Sequence, residues 1–301
     1  MAKTVTAQVG GRRIELSNLD KVLWPETGFT KAQMIDYYTR IAPAILPHLK
    51  GRPLTLKRYP DGVEADYFYE KECPAYHPDW VETATMPSRN VRQKVNFCVV
   101  ENISTLVWLA NLATIEFHTL LSLGRDFARP TYVAFDLDPG EPADILDAAW
   151  AAERLHEMLQ EVGLESFAKV SGSKGVHVYV PVNTPTTFED TKAFARATAQ
   201  LLESHYPKRV VSNMRKDLRG GKIFVDWSQN DPHKTTVCAY SLRARARPTV
   251  SAPVEWDELT AARKRRQPGD LAFEAWEVLQ RVEDKGDIFK PVLKLKQRLP
   301  K

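Results

Sequence analysis

The chain has 301 residues, 43% hydrophobic and 27% charged, with a formal net charge of +4. That is an ordinary soluble balance: no apolar run reaches membrane-spanning length, the first residues hold no signal-peptide core, and net charge alone does not single out nucleic acid. The cysteines, Cys73, Cys98 and Cys238, are odd in number and form no CxxC, which argues against a disulfide framework or structural zinc site and for a reducing cytoplasm.

Residues 10 to 16 read as a short strand, and Ser17 to Pro25 as a loop. Thr30 to Gln33 fits a capping box, opening a helix whose apolar positions Met34, Tyr37, Tyr38, Ile41 and Ile45 have helical spacing. Pro53 to Tyr59 and Ala65 to Lys71 read as strands around the turn Pro60-Asp61-Gly62. Cys73 to Arg92 has no period and reads as a long surface loop. A strand over Val95 to Val100, a helix over Ser104 to Leu112 and a strand over Ala113 to His118 follow.

Thr131 to Gly140 organises the rest. Strand alternation places Val133, Phe135 and Leu137 on one face and Ala134, Asp136 and Asp138 on the other, before Pro139-Gly140 ends the strand. Two neighbouring carboxylates beside a core call for a cation, and a divalent metal suits oxygen ligands. Two solvated aspartates at a surface strand end would also account for the pair.

Ala143 to Val162 reads as a helix ended by Gly163, Phe167 to Val170 and Val176 to Val180 as strands, and Thr187 to His205 as a helix. The loop Ser171-Gly172-Ser173-Lys174-Gly175 joins those two strands; its small residues let the backbone approach an anion, and Lys174 supplies charge. Its spacing is not that of a Walker A loop. His177, just beyond, is of a kind more often structural than catalytic. Val210-Val211, Lys222 to Trp227 and Thr235 to Leu242 read as strands. Asp226 stands in the apolar run Ile223 to Trp227, where an unpaired carboxylate is costly. Arg243 and Arg245, read as i and i+2 of a strand, share a face as phosphate binders do. Helices over Trp256 to Arg265 and Leu271 to Val282 and a basic tail from Lys290 close the chain. Strands and helices mix without a βαβ cadence, so the expected class is α+β with a largely antiparallel central sheet flanked by helices.

The motifs together compose a two-metal nucleotidyl-transfer site. DLD, SGSKGVH and FVD resemble the three signature motifs of archaeo-eukaryotic primases, and SNLDKVLWPETGFTK, FYEK, IEFH, KIFVDWSQN and TTVCAYSLRARARPTVSAPV resemble the polymerase domain of bacterial ligase D. The resemblance runs from about Leu16 to Glu255 and implies a primase-like core. It implies one domain over 1–301: a part with a DNA-end phosphate pocket (1–130), the catalytic core (131–255) and C-terminal helices with the tail (256–301). It implies Asp136, Asp138 and Asp226 as the metal-binding catalytic residues, with Mn²⁺ or Mg²⁺. It implies Ser171, Lys174 and His177 at the triphosphate, with His118, Lys234 and Arg243 as further nucleotide contacts. Arg219 matches a mobile-loop arginine, Phe68 and Tyr69 a base-stacking pair, and Asn18, Lys21 and Lys31 a pocket for a DNA 5′-phosphate. Ser173 departs from the family, where glycine is common.

The implied function is a template-directed DNA/RNA polymerase of non-homologous end joining. Its expected partners are double-strand-break ends or gapped duplex, ribo- or deoxynucleoside triphosphates, Ku and a DNA ligase, with no membrane. The expected location is the cytoplasm of a bacterium or archaeon, at the nucleoid. The alternatives are a primase starting chains de novo and a non-catalytic DNA-end synapsis module. A phosphatase of the DxD type is disfavoured because Pro139 follows Asp138.

Overall fold

A computed structural model describes residues 4–89 and 93–300. The chain forms two compact units: Met1–Leu120 with Thr235–Val250 and Glu274–Asp287, and Leu121–Lys234 with Ser251–Phe273 and Ile288–Lys301.

In the first unit, helix Lys31–Leu49 starts at the expected capping box. The Thr30 hydroxyl accepts from the Gln33 amide, and the Gln33 side chain accepts from the Thr30 amide. Met34, Tyr37, Tyr38, Ile41 and Ile45 are all buried, and the helix packs on helix Ile103–Asn111. An antiparallel sheet runs in the order Thr235–Val237, Thr114–Leu120, Leu54–Arg58, Phe68–Glu70.

The strands expected over residues 10 to 16 and Val95 to Val100 form as Arg12–Ser17 and Lys94–Cys98, and each has a partner the sequence does not mark: Thr4–Val9 and Thr83–Pro87. Val22–Trp24, in the expected loop, pairs with Phe29–Thr30. Strands of two to six residues carry too few positions to show a period; a pairing partner makes them strands. Residues 90–92 of the expected long loop lie outside the described residues. Cys73 and Cys98 are joined in a disulfide, and Cys238 is buried and free. The expectation of no disulfide fails because an odd total still allows one pair, and the backbone bond from the Cys73 amide to the Asn96 carbonyl (2.6 Å) lays the loop beside the hairpin.

In the second unit, a six-stranded sheet runs in the order Val210–Val211, Ile223–Asp226, Tyr132–Pro139, Val176–Pro181, Phe167–Val170, Pro253–Val254. Only the first pair is parallel. Helices Ile145–Glu161 and Phe188–His205 pack against it, and helix Trp256–Arg265 packs on Ile145–Glu161. The class is α+β with antiparallel sheets, as expected. No helix among the described residues is long and apolar enough to cross a membrane.

Candidate active site

Strand Tyr132–Pro139 follows the expected alternation: Val133, Phe135 and Leu137 are fully buried, while Asp136 and Asp138 are half-buried. Its neighbours build a row across the sheet. Asp226 stands opposite Asp136, Asp136 opposite His177, and His177 opposite Lys169. Directly opposed residues project to the same face. Two carboxylates, an imidazole and an ammonium therefore follow one another over four adjacent strands, and Asp138, two residues beyond Asp136, shares the face. Nε2 of His177 lies 3.1 Å from Oδ1 of Asp136.

The carboxylates differ in surroundings. Oδ1 of Asp226 accepts from the Ser228 amide (2.9 Å) and hydroxyl (2.5 Å), and Oδ2 accepts from Nε2 of Gln229 (2.9 Å). Lys234 donates to the same Ser228 hydroxyl. Burial, then the charges of Asp136 and Asp226, raise the Asp138 pKa to about 7 against the pull of Lys174 and Arg219. Beyond Asp226 the ladder is continued by a side chain: Asn230, fully buried, accepts from the Ala134 amide (3.0 Å) and donates to the Ala134 carbonyl (2.8 Å).

Two glycines have a steric reason. A Cβ on Gly140 would lie 2.0 Å from the Arg219 carbonyl oxygen, and one on Gly175 would lie 2.7 Å from that of Leu137 and 3.3 Å from Oδ1 of Asp138. Arg219 lies over the Phe224 ring at 3.6 Å and donates to the Met214 carbonyl at 2.7 Å. In the Ser171–Gly175 loop the Ser171 hydroxyl accepts from the amides of Ser173 (3.2 Å) and Gly175 (3.1 Å). Those two amides hold the loop's shape, and the exposed Lys174 supplies the loop's charge.

The first unit holds a second charged cluster. Glu116 is 2% exposed, yet its carboxylate meets Nε2 of His118 (2.8 Å), Nε of Arg243 (3.2 Å), Nζ of Lys57 (3.6 Å) and the Ala244 amide (3.1 Å). Burial alone would raise its pKa; the His118 hydrogen bond and the charges of Arg243, His118 and Lys57 outweigh that and hold it well below the usual range. Burial also lowers the His118 pKa. Lys57 stands opposite both Glu116 and Tyr69, with its ammonium 4.1 Å from the Tyr67 ring centroid. Phe68 and Tyr69 are exposed neighbours in one strand and so point to opposite faces; Phe68 packs on Arg58. Arg243 and Arg245 do not share a strand face, because the strand ends at Val237 and Arg243 to Thr249 form a turn closed by the Arg243 amide on the Thr249 carbonyl. Lys174 and His177 belong to one unit, Arg243 and His118 to the other.

Asn18, Lys21 and Lys31 are gathered in the first unit. Asn18 takes a positive φ of 54° and its carbonyl accepts from the Lys21 amide. The helix start is not open to an anion through its backbone. The Lys31 amide donates to the Lys21 carbonyl (2.8 Å), the Ala32 amide to that of Leu19 (2.9 Å), and the Gln33 amide to Thr30. The charge comes from side chains: Lys31 is buried, with Nζ on the Ser17 carbonyl (2.7 Å), and Lys21 pairs with Asp61 (2.6 Å). Burial, then the charges of Lys21 and Arg58, lower the Lys31 pKa to about 8.

Glu116, Lys169 and Asn230 escape the sequence reading. The one available signal is a charged residue inside an apolar strand, and Glu116 and Lys169 both carry it. Among the described residues, no group of three or more His, Cys, Asp or Glu side chains forms a finished metal centre. The donor set nevertheless fits a hard divalent cation: its carboxylates are oxygen donors, and their mutual repulsion adds to burial in raising Asp138.

Residues 30–289 match the family described as LigD, primase-polymerase domain. The chain is 39% identical over 282 residues to the multifunctional non-homologous end joining protein LigD of Mycolicibacterium smegmatis, covering 93% of this chain and 36% of that protein. It is 32% identical over 251 residues to the bifunctional non-homologous end joining protein LigD of Bacillus subtilis, covering 83% of this chain and 40% of that protein. The chain thus spans well under half the length of these relatives. Among solved structures, the polymerase domain from Mycobacterium tuberculosis ligase D in complex with DNA superposes with a TM-score of 0.86 at 37% identity, covering 95% of this chain and 99% of that one.

Proposed function

The chain belongs to the LigD primase-polymerase domain family, and from that membership we propose that it is a template-directed nucleotidyltransferase of non-homologous end joining. It fills gaps and extends 5′-phosphorylated break ends with ribo- or deoxynucleotides, working with Ku and a DNA ligase in the bacterial cytoplasm. The observation that carries the reading is the row Asp226, Asp136, His177 with Asp138 on the same face. Asp136, Asp138 and Asp226 would hold Mn²⁺ or Mg²⁺, which when bound activates the attacking hydroxyl and offsets charge on the triphosphate. Ser228 and Gln229 orient Asp226 through its two oxygens. The test is a gapped, 5′-phosphorylated duplex with labelled nucleotide and Mn²⁺. Primer-dependent extension supports the polymerase; products without primer point to a primase, and a mobility shift with no extension to a synapsis module.

Lys174, exposed at the tip of its loop, and His177 are the proposed triphosphate contacts of their unit, and Ser171 holds the loop between them. Lys174→Ala is expected to weaken nucleotide binding by about 1.5–3 kcal/mol, the worth of a hydrogen bond to a charged group. Equal nucleotide affinity for the variant and the wild type would remove Lys174 from the site. For His118 and Arg243 the proposed role is also a nucleotide contact, with Glu116 orienting both.

Asn18, Lys21 and Lys31 are the proposed 5′-phosphate readers. A bound dianion favours the charged form of Lys31, whose pKa is lowered to about 8. Below that pH the ammonium is already present; above it, binding must draw a proton from solution. The preference for a 5′-phosphorylated over an unphosphorylated gap is therefore expected to fall by up to about tenfold per pH unit above about 8. Comparing the two duplexes between pH 7 and 9 checks this, and a preference independent of pH would take Lys31 out of the pocket.

A further inference from the structure

We infer that Lys169 is a positioning residue for nucleotide binding: it decides which ring nitrogen of His177 carries the hydrogen, and through that ring it holds Asp136. The inference rests on the polymerase reading for the tasks of His177 and Asp136, and on geometry for the wiring between them. Lys169 is 0% exposed, between the buried Ala168 and Val170 in strand Phe167–Val170. A lysine normally carries its ammonium out to water along its flexible stem. This one stays inside, with Nζ 2.6 Å from the Ser251 hydroxyl and 3.1 Å from Nδ1 of His177. The Ser251 hydroxyl donates its own hydrogen to the Val170 carbonyl (3.2 Å), so toward Lys169 it accepts.

An ammonium has three donors and no acceptor. Nδ1 of His177 is therefore the accepting nitrogen, and the ring hydrogen sits on Nε2. Nε2 lies 3.1 Å from Oδ1 of Asp136 and donates to it. Rotating the ring by a half-turn would put carbons where both nitrogens stand. The contacts follow the register, Lys169 opposite His177 and His177 opposite Asp136, so the sheet itself keeps the three in line. The consequence is chemical. With Nε2 bearing hydrogen, His177 presents a donor to anionic oxygens on this face, whether of Asp136 or of a triphosphate. The opposite tautomer would present a lone pair, which repels them. Lys169 thereby keeps His177 a donor without itself touching the nucleotide.

The experiment uses ¹⁵N-histidine-labelled protein, with the His177 signals assigned by their loss in His177→Gln. The wild type is expected to show a hydrogen on Nε2 and none on Nδ1, and Lys169→Met to show a mixture of tautomers. A hydrogen on Nδ1 in the wild type overturns the wiring, and this arm needs neither a folded variant of Lys169 nor any activity. In extension assays Lys169→Met is expected to raise KM for the nucleotide by about tenfold, the cost of one hydrogen bond, with a much smaller change in kcat. Lys169→Gln, which keeps a donor, is expected to recover part of the loss. A His177→Gln/Lys169→Met double variant is expected to be no worse than His177→Gln alone, since the two residues act as one unit. An unchanged KM in Lys169→Met, or losses that add in the double variant, overturn the inference. A wild type that binds DNA but never extends it strikes the polymerase reading alone, and the tautomer still decides the wiring.

Discussion

Asp136→Ala and Asp138→Ala are each expected to reduce primer extension by about 10³-fold or more while leaving DNA affinity nearly intact. Loss of a metal-holding carboxylate removes several kcal/mol of transition-state stabilisation, and each 1.4 kcal/mol is a factor of ten. DNA affinity comes mainly from cations meeting phosphates, and neither aspartate contributes a cation. Stability separates this outcome from misfolding. The Asp138 carboxyl is raised from 3.8 to about 7 by burial and by Asp136 and Asp226, so its ionised form costs the folded state energy, increasingly as pH climbs through that window. Asp138→Asn removes the repulsion. It is expected to raise the thermal midpoint in metal-free buffer at pH 7 or above and to extend no better than Asp138→Ala. Extension by Asp136→Ala at near wild-type rate would end the assignment, as would a lower midpoint for Asp138→Asn.

Glu116→Ala is expected to destabilise the protein by about 3–5 kcal/mol, the usual cost of removing one partner from a buried ionic cluster. The change leaves Lys57, Arg243 and His118 without their shared carboxylate and the Ala244 amide without its acceptor. At the sensitivity of a chain this size the midpoint falls by roughly 10 °C. Glu116→Gln keeps an acceptor oxygen and is expected to lose less. The pH dependence has a definite sign. A carboxyl held below its usual range adds stability that is complete above that range and drains away as pH falls through it toward the depressed value. The wild type should therefore lose more stability on acidification than Glu116→Gln does. Chemical denaturation of both proteins at neutral and acid pH measures the difference, and parallel curves would deny Glu116 its role as hub.

The features legible in the sequence are local ones. Alternation over Tyr132 to Pro139 named the face of Asp136 and Asp138, since a strand repeats every two residues wherever it lies. The capping box at Thr30 and the helix after it depend on residues three and four apart. The linked motifs DLD, SGSKGVH and FVD carry the family likeness by themselves. Alternation assigns a face but no neighbour, and the neighbours came only with the tertiary structure. That Asp136 lies between Asp226 and His177, with Lys169 beyond, follows from the register of four strands whose pairing is set by contacts far along the chain. The Cys73–Cys98 bond, the loop carbonyls on the first amides of helix Lys31–Leu49, and the side chain of Asn230 extending the ladder at Ala134 are likewise non-local. Each satisfies a polar or reactive group with a partner distant in sequence, and no local pattern names that partner.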